Sequence, residues 1–292
     1  MSAPAANWRQ RLRGDPASWL LDYSDNPSVY FWFQRDVIGR PEDANALRQA
    51  RELILYSTPV QQLFAAQDDA GFWDNPHSLD QPRYRATLWS LALLAELGAP
   101  RASRRARAAC EFILQNHLGA GDDLGLDDQA MAGLLLRTLN YFGYYADPRV
   151  ARAIDALAAS VPSLAPGAAM YAVWALIEIP DDHRSPATLA AIAQCEESLL
   201  DALARDAFPT LGAFPPFDAT DALLALRVLA QRGRVHDARA QRAIEKIWAR
   251  QEVGARWSLE KSLKGKLVAQ LDDAGTLSKW ATLNALRVLT KS

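Results

Sequence analysis

Gln67-Asp-Asp-Ala-Gly71-Phe-Trp73 is the stretch on which the fold turns. It closes an apolar helical run from Val60 to Ala66 and stands just ahead of another from Tyr84 to Leu97. The spacing predicts a helix end. Glycine enters the left-handed conformation that terminates a helix without a Cβ penalty. The glutamine amide can bond the backbone groups left open there, and the indole can lie across the neighbouring helix. A looser copy, Gln251-Glu-Val-Gly254-Ala-Arg-Trp257, again sets tryptophan six residues after glutamine. A corner used twice points to a repeat of helices.

Outward from these corners, the chain is punctuated by a capping residue followed by proline: Asp15-Pro16, Asn26-Pro27, Thr58-Pro59, Asp147-Pro148 and Ser185-Pro186. The first side chain accepts from first-turn amides, and proline fixes φ where no donor is needed. Behind each start the apolar residues recur at helical spacing, and strand-like alternation is scarce. Two kinds of helix alternate. Glu42 to Leu55, Arg101 to Gln115, Pro148 to Ala159, Pro186 to Arg205 and Val235 to Gln251 are amphipathic and charged. Tyr84 to Leu97, Gln129 to Phe142, Ala168 to Ile179, Thr220 to Ala230 and Trp280 to Leu289 are apolar nearly all round. The first set reads as outer and the second as inner. Ala225-Leu-Arg-Val-Leu229 and Ala285-Leu-Arg-Val-Leu289 occupy the same place in units of about 40–60 residues.

An inner row of apolar helices favours closure, because an open stack leaves that row half wet. The expectation is one all-α domain over residues 1–292: a single α/α toroid of five to six helix pairs, with residues 1–25 as an N-terminal extension. An open α-solenoid is the alternative. Residues 257–277 break the pattern. Lys264-Gly265 lies between short alternating runs there, and the segment reads as an inserted loop or small hairpin.

Composition narrows the partners. With 292 residues, 32 basic and 34 acidic groups, no concentrated basic face is expected, and so no nucleic acid. All six lysines fall from Lys246 onward, so basic charge gathers near the C-terminus, where Lys261 to Lys266 could touch an anionic membrane surface peripherally. Cys110 and Cys195 read as buried free thiols. The N-terminus lacks the apolar core of a signal peptide, and no run of about 18 apolar residues exists to span a bilayer. The cytoplasm is the expected location. Nothing in the sequence fixes an oligomeric state.

Taken together, the Gln67 to Trp73 corner, Trp19-Leu-Leu-Asp22, Asn26-Pro-Ser-Val29, Arg85-Ala-Thr-Leu-Trp89, Leu94-Ala-Glu-Leu-Gly98, Trp257-Ser-Leu-Glu-Lys261 and Ser278-Lys-Trp280 resemble the prenyltransferase and squalene-oxidase repeat family. The resemblance covers nearly the whole chain and is closest to short, single-toroid bacterial members of unassigned role. It implies the α/α toroid shared by squalene–hopene cyclases and protein prenyltransferase β-subunits. Two departures stand out. The acid motif Asp-x-Asp-Asp of proton-donating cyclases is met by Gly125-Leu-Asp127-Asp128, with glycine at its first position. The Asp, Cys and His zinc set of protein prenyltransferases is not found, since His77, His117, His183 and His236 are scattered. No metal site and no cofactor are therefore expected, although a diphosphate ligand would bring magnesium with it.

In such a toroid the N-terminal ends of the inner helices gather at one rim. Candidate ligand-binding residues there are Trp73, Arg83, Tyr84, Arg85, Phe217, Asp218, Asp221, Lys279 and Trp280. Asp127 and Asp128 are the candidate catalytic pair: a carboxylic acid against an apolar cavity could protonate an alkene or epoxide. The plainer reading is that they cap a helix. Asp218 and Asp221, three apart, could hold a magnesium–diphosphate or form a capping box. Arg83 and Arg85, with Lys279, could hold a phosphate or carboxylate head group, or Arg85 could pair with a rim aspartate. Small inner residues, among them Ala130, Ala132, Gly133, Ala168, Ala169 and Ala172, leave room for a ligand or allow close helix packing. Two functions follow: binding, with cyclase-like conversion as a further step, of an isoprenoid-like or other elongated apolar molecule, or a non-catalytic protein-interaction module with a filled toroid.

Overall fold

Helices begin largely where the capping pairs place them. In a computed structural model, which describes residues 8–118, 126 and 128–292, the α-helices run α1 Ala17–Leu20, α2 Pro27–Asp36, α3 Asn45–Ile54, α4 Thr58–Ala65, α5 Thr87–Glu96, α6 Arg104–Asn116, α7 Gln129–Tyr141, α8 Pro148–Ser160, α9 Pro166–Ile177, α10 Pro186–Ala204, α11 Ala222–Gln231, α12 Ala238–Ala249 and α13 Lys279–Leu289. Asn26 caps α2 by accepting from Val29 N, and Asp147 caps α8 by accepting from Arg149 N. Thr58-Pro59 differs from expectation. The cap position falls on Ser57, whose hydroxyl instead donates to Ile54 O at 2.7 Å. The chain is mostly helical, and no described helix is long and apolar enough to cross a membrane.

Helices α5, α7, α9, α11 and α13 are buried on nearly every side. A sixth joins them: α2 buries Val29, Phe31, Trp32 and Phe33 together with Ser28 and Gln34. The amphipathic helices α6, α8 and α12 bury one stripe, such as Ala240, Ala243, Ile244 and Ile247 of α12.

The chain divides into two compact units. The first comprises Met1–Leu53, Leu200–Ser262 and Leu271–Ser292, and the second comprises Ile54–Leu199 and Leu263–Gln270. In the first unit α13 packs on α2 and α11. In the second, α7 packs on α5 and most extensively on α9. Gly133 explains the closeness of that last pair: a Cβ there would lie 2.9 Å from the backbone carbon of Tyr171. Its small size serves helix-to-helix approach.

Each unit holds one of the two corners. In the second unit Trp73 is buried, its indole donates to Leu63 O at 2.8 Å, and its backbone N–H donates to Thr87 Oγ1 at 3.1 Å. In the first unit Trp257 repeats both bonds, to Ile247 O at 2.8 Å and to Thr282 Oγ1 at 3.0 Å. Asp68 N bonds Phe72 O at 2.9 Å, and Glu252 N bonds Arg256 O at 2.8 Å. Gly71 takes φ 101°, and its counterpart four residues after glutamine is Ala255, which is held at φ 55°. The repeat read from two tryptophans is thus a repeat of bonds.

Within 257–277, where a loop or small hairpin is expected, the one strand among the described residues pairs outside the segment. Lys264-Gly265 is a turn, with Lys266 N on Leu263 O at 2.9 Å. The short strand preceding it, β2 (Lys261–Ser262), does not fold back on itself. It pairs in parallel with β1 (Ala213–Phe214), Ala213 opposite Lys261. An antiparallel bridge between Ser258 and Leu277 closes the segment at its base.

Candidate functional site

The residues expected at the rim fall in both units, and most carry a local structural task. In the second unit, Asp128 caps α7 by accepting from Ala130 N at 2.8 Å. Asp127 lies outside the described residues. Arg85 pairs with Asp74 at 3.0 Å, an aspartate of the corner loop that is not among the expected rim acids. Arg83 sits over the rings of Tyr84 at 5.0 Å and Trp89 at 5.8 Å. Trp73 is given over to the corner described above.

In the first unit the acidic pair adopts a different register from a capping box. Asp221, not Asp218, caps α11. Asp218 stands in the preceding turn, where its carboxylate accepts from Thr220 N at 2.9 Å, Thr210 Oγ1 at 3.1 Å and Lys261 Nζ at 2.8 Å. The two aspartates therefore do not share a helix face. Among the described residues, no three His, Cys, Asp or Glu side chains come together as a metal site. Phe217 is buried, and Trp280 stacks on Phe214 with centroids 4.0 Å apart. Lys279, only 5% exposed, pairs with Asp25 at 2.9 Å and lies 5.8 Å from the Trp19 ring.

Asp221 is the residue whose surroundings go beyond a cap. It is 2% exposed and accepts three backbone N–H bonds, from Gly212 at 3.0 Å, Ala213 at 2.9 Å and Leu223 at 2.9 Å. Burial pushes its carboxyl up to about 6, against the three amide bonds that pull it down, with a further upward push from Asp218. Asp218 moves the other way. Burial raises it, but the bonds from Lys261 and Thr220 outweigh that and hold it below the ordinary carboxylate range. Two carboxylates three residues apart are thereby driven in opposite directions.

Asp221 lines a crevice with Arg227 and Asn284, walled by Ala213, Pro216, Leu223 and Leu224. Arg227 donates to Asn284 Oδ1 at 3.1 Å, and Arg287 donates to the same oxygen at 2.8 Å. As it stands, the crevice is too narrow to seat a water molecule. Chemically it offers one buried carboxyl, one guanidinium and one amide against aliphatic walls. That set can grip a small polar group on an otherwise apolar molecule.

Sequence reasoning passed over Arg227 and Asn284, although the signal was present. Arginine inside a helix apolar on every side must have buried partners, and Ala225-Leu-Arg-Val-Leu229 and Ala285-Leu-Arg-Val-Leu289 both carry one. Arg287 pairs with Asp36 at 2.7 Å, and Arg35 and Arg287 hold that carboxyl down despite its burial. In the second unit, Arg137 of α7 pairs with Glu96 at 3.4 Å and Glu178 at 3.8 Å, and lies 4.2 Å from the Trp174 ring. No protein-family model matches the chain, and no curated protein matches its sequence.

Proposed function

We propose that the protein is an α/α-toroid binder of an elongated, isoprenoid-like small molecule, and that the Asp221, Arg227 and Asn284 crevice holds the polar end of that molecule. The observation that carries this reading is the buried, raised carboxyl of Asp221 beside a buried guanidinium, against aliphatic walls. The resemblance to the prenyltransferase and squalene-oxidase repeats supplies the class of ligand. Because Asp221 also ties down Gly212 and Ala213, ligand entry would proceed by displacement of that loop. Conversion of the ligand by an aspartic acid donor belongs to the same reading, with Asp127 as the acid. Product formation that persists in Asp127→Asn would remove that step.

The test is an organic extraction of the purified protein, read by mass spectrometry, before and after feeding prenyl diphosphates and polyenes. A stoichiometric lipid or terpenoid, lost in Arg227→Gln, supports the proposal. A consistently empty extract favours the second reading, a filled interaction module without a small-molecule ligand. One observation already speaks for that alternative: the crevice does not seat even a water molecule.

A further inference from the structure

The two corners differ in what fills the slot beside them. In the second unit it is the start of α6: Gln67 Nε2 donates to Arg105 O at 3.0 Å, the Arg105 guanidinium returns a bond to Phe64 O, and its charge lies 6.0 Å from the Phe64 ring. In the first unit the N-terminal segment 8–14 meets the glutamine and the aromatic ring in the same way, while the carbonyl its arginine takes is that of the glutamine itself. Gln251 Nε2 donates to Arg11 O at 3.4 Å, and Arg13 Nη1 donates to Gln251 O at 3.0 Å. Arg11 lies 4.4 Å from the ring of Trp248, which stands three residues before Gln251 as Phe64 stands before Gln67. Arg13 N donates to Gln251 Oε1, and Gly254 N donates to Arg13 O at 3.1 Å. Arg11 completes the seat with two bonds to Glu245, at 2.7 and 2.9 Å. The segment reproduces with Arg-Leu-Arg-Gly what a helix does at the other corner.

The anchoring differs in kind. Helix α6 seals its slot with buried Ala106, Ala109 and Cys110. The 3-10 turn Trp8–Arg11 has no buried residue, and the side chains of Arg11 and Glu245 are about half exposed, at 49% and 57%. Exposed ion pairs and cation–π contacts hold weakly, and an occupant tethered to its own slot keeps it mainly through high effective concentration. Only glycine could pivot there: Gly14 takes φ 142°, and a Cβ on it would meet Gly254 Cα at 2.8 Å.

From this we infer that the face made by Glu245, Trp248, Gln251 and Gly254 is a recognition site for an extended Arg-x-Arg-Gly segment of another protein chain, and that the N-terminal segment is its displaceable internal occupant. The carboxylate takes the first guanidinium, the indole face takes the same cation from the side, and the corner's amide and carbonyl fix the backbone and the second arginine.

The experiment is a titration of a peptide spanning residues 8–16 into the full chain carrying Arg11→Ala and Arg13→Ala, which strips the internal segment of both guanidinium groups while its backbone bonds remain, and so makes it the weaker competitor. The Trp248 indole N–H resonance reports binding even in the millimolar range. The expected result is binding at least tenfold tighter to this variant than to the wild type, and weakened several-fold when Glu245→Ala is added. Equal binding to both chains, or none to the double variant, overturns the inference. Should circular dichroism show that the double variant is unfolded, Arg11→Ala alone is titrated under the same criterion. Dimerisation of the double variant in sedimentation, without peptide binding, would point to contact between copies elsewhere and also overturn it.

Discussion

Gly71→Ala tests the corner most directly, because two costs can be read from the geometry. At φ 101°, an L-residue pays about 1–2 kcal/mol for leaving the right-handed half of backbone space. The added Cβ would also lie 2.5 Å from Ala108 O and 2.8 Å from Ala108 C, backbone atoms of α6 that cannot swing aside. Overpacking of this kind costs about 1–3 kcal/mol. A loss of about 3 kcal/mol is therefore expected, or a melting midpoint lowered by roughly 6 °C in a chain of this size. The control lies in the other corner. Ala255 already holds φ 55°, so Ala255→Gly relieves about 1 kcal/mol of strain while giving back a similar amount of unfolded-state entropy. Its midpoint should stay within roughly 2 °C of wild type. Calorimetry or thermal circular dichroism on both variants decides. If Gly71→Ala melts with the wild type, or if both substitutions lower the midpoint equally, the corner is not the rigid element described here.

Trp73→Phe and Trp257→Phe each delete an indole bond to a buried helix-end carbonyl; each should cost about 1–3 kcal/mol by urea denaturation, with similar values for the two corners. Arg137→Met leaves Glu96, 2% exposed, without its guanidinium and should cost about 3–5 kcal/mol, and adding Glu96→Gln should recover much of that in a double-mutant cycle. Asp221 titrates near 6 in the fold against an ordinary 3.8, so its contribution is present below pH 4 and is lost as pH rises through 6. The stability difference between wild type and Asp221→Asn should therefore shift by on the order of 3 kcal/mol from pH 4 to pH 7. A pH-independent difference would mean that the three amide bonds keep Asp221 ionised throughout.

What the sequence made legible was local. Alternation of wet and dry helices, the caps at Asn26 and Asp147, and the tryptophan corners all follow from residues within one or two turns of each other. The misreadings come from choices that only distant parts of the chain decide. Asp218 and Asp221 are equally good caps by local chemistry, and the helix starts at Ala222 because Gly212 and Ala213 claim the Asp221 carboxylate. Lys264-Gly265 is a real turn, but the strand beside it finds its partner at Ala213, some fifty residues back. Helix α2 hid as a buried helix because Gln34, Arg35 and Asp36 end it with polar residues, and Arg287 accounts for Asp36. The arginines of α7, α11 and α13 were visible as letters, yet their partners come from other helices.

The tryptophan-to-threonine bond of each corner spans very different lengths of chain. Trp73 reaches Thr87 across 14 residues, and Trp257 reaches Thr282 across 25, with bond lengths that agree within 0.1 Å. The clasp is indifferent to what it encloses. Lengthening a loop whose ends are already pinned costs only about 0.6 kcal/mol per doubling, so these arcs are ports where new sequence can be grafted while the scaffold stays unchanged. The Trp257 to Thr282 arc already carries the strand Lys261–Ser262 and the Lys264-Gly265 turn, and the Trp73 to Thr87 arc closes on the same bond with eleven fewer residues.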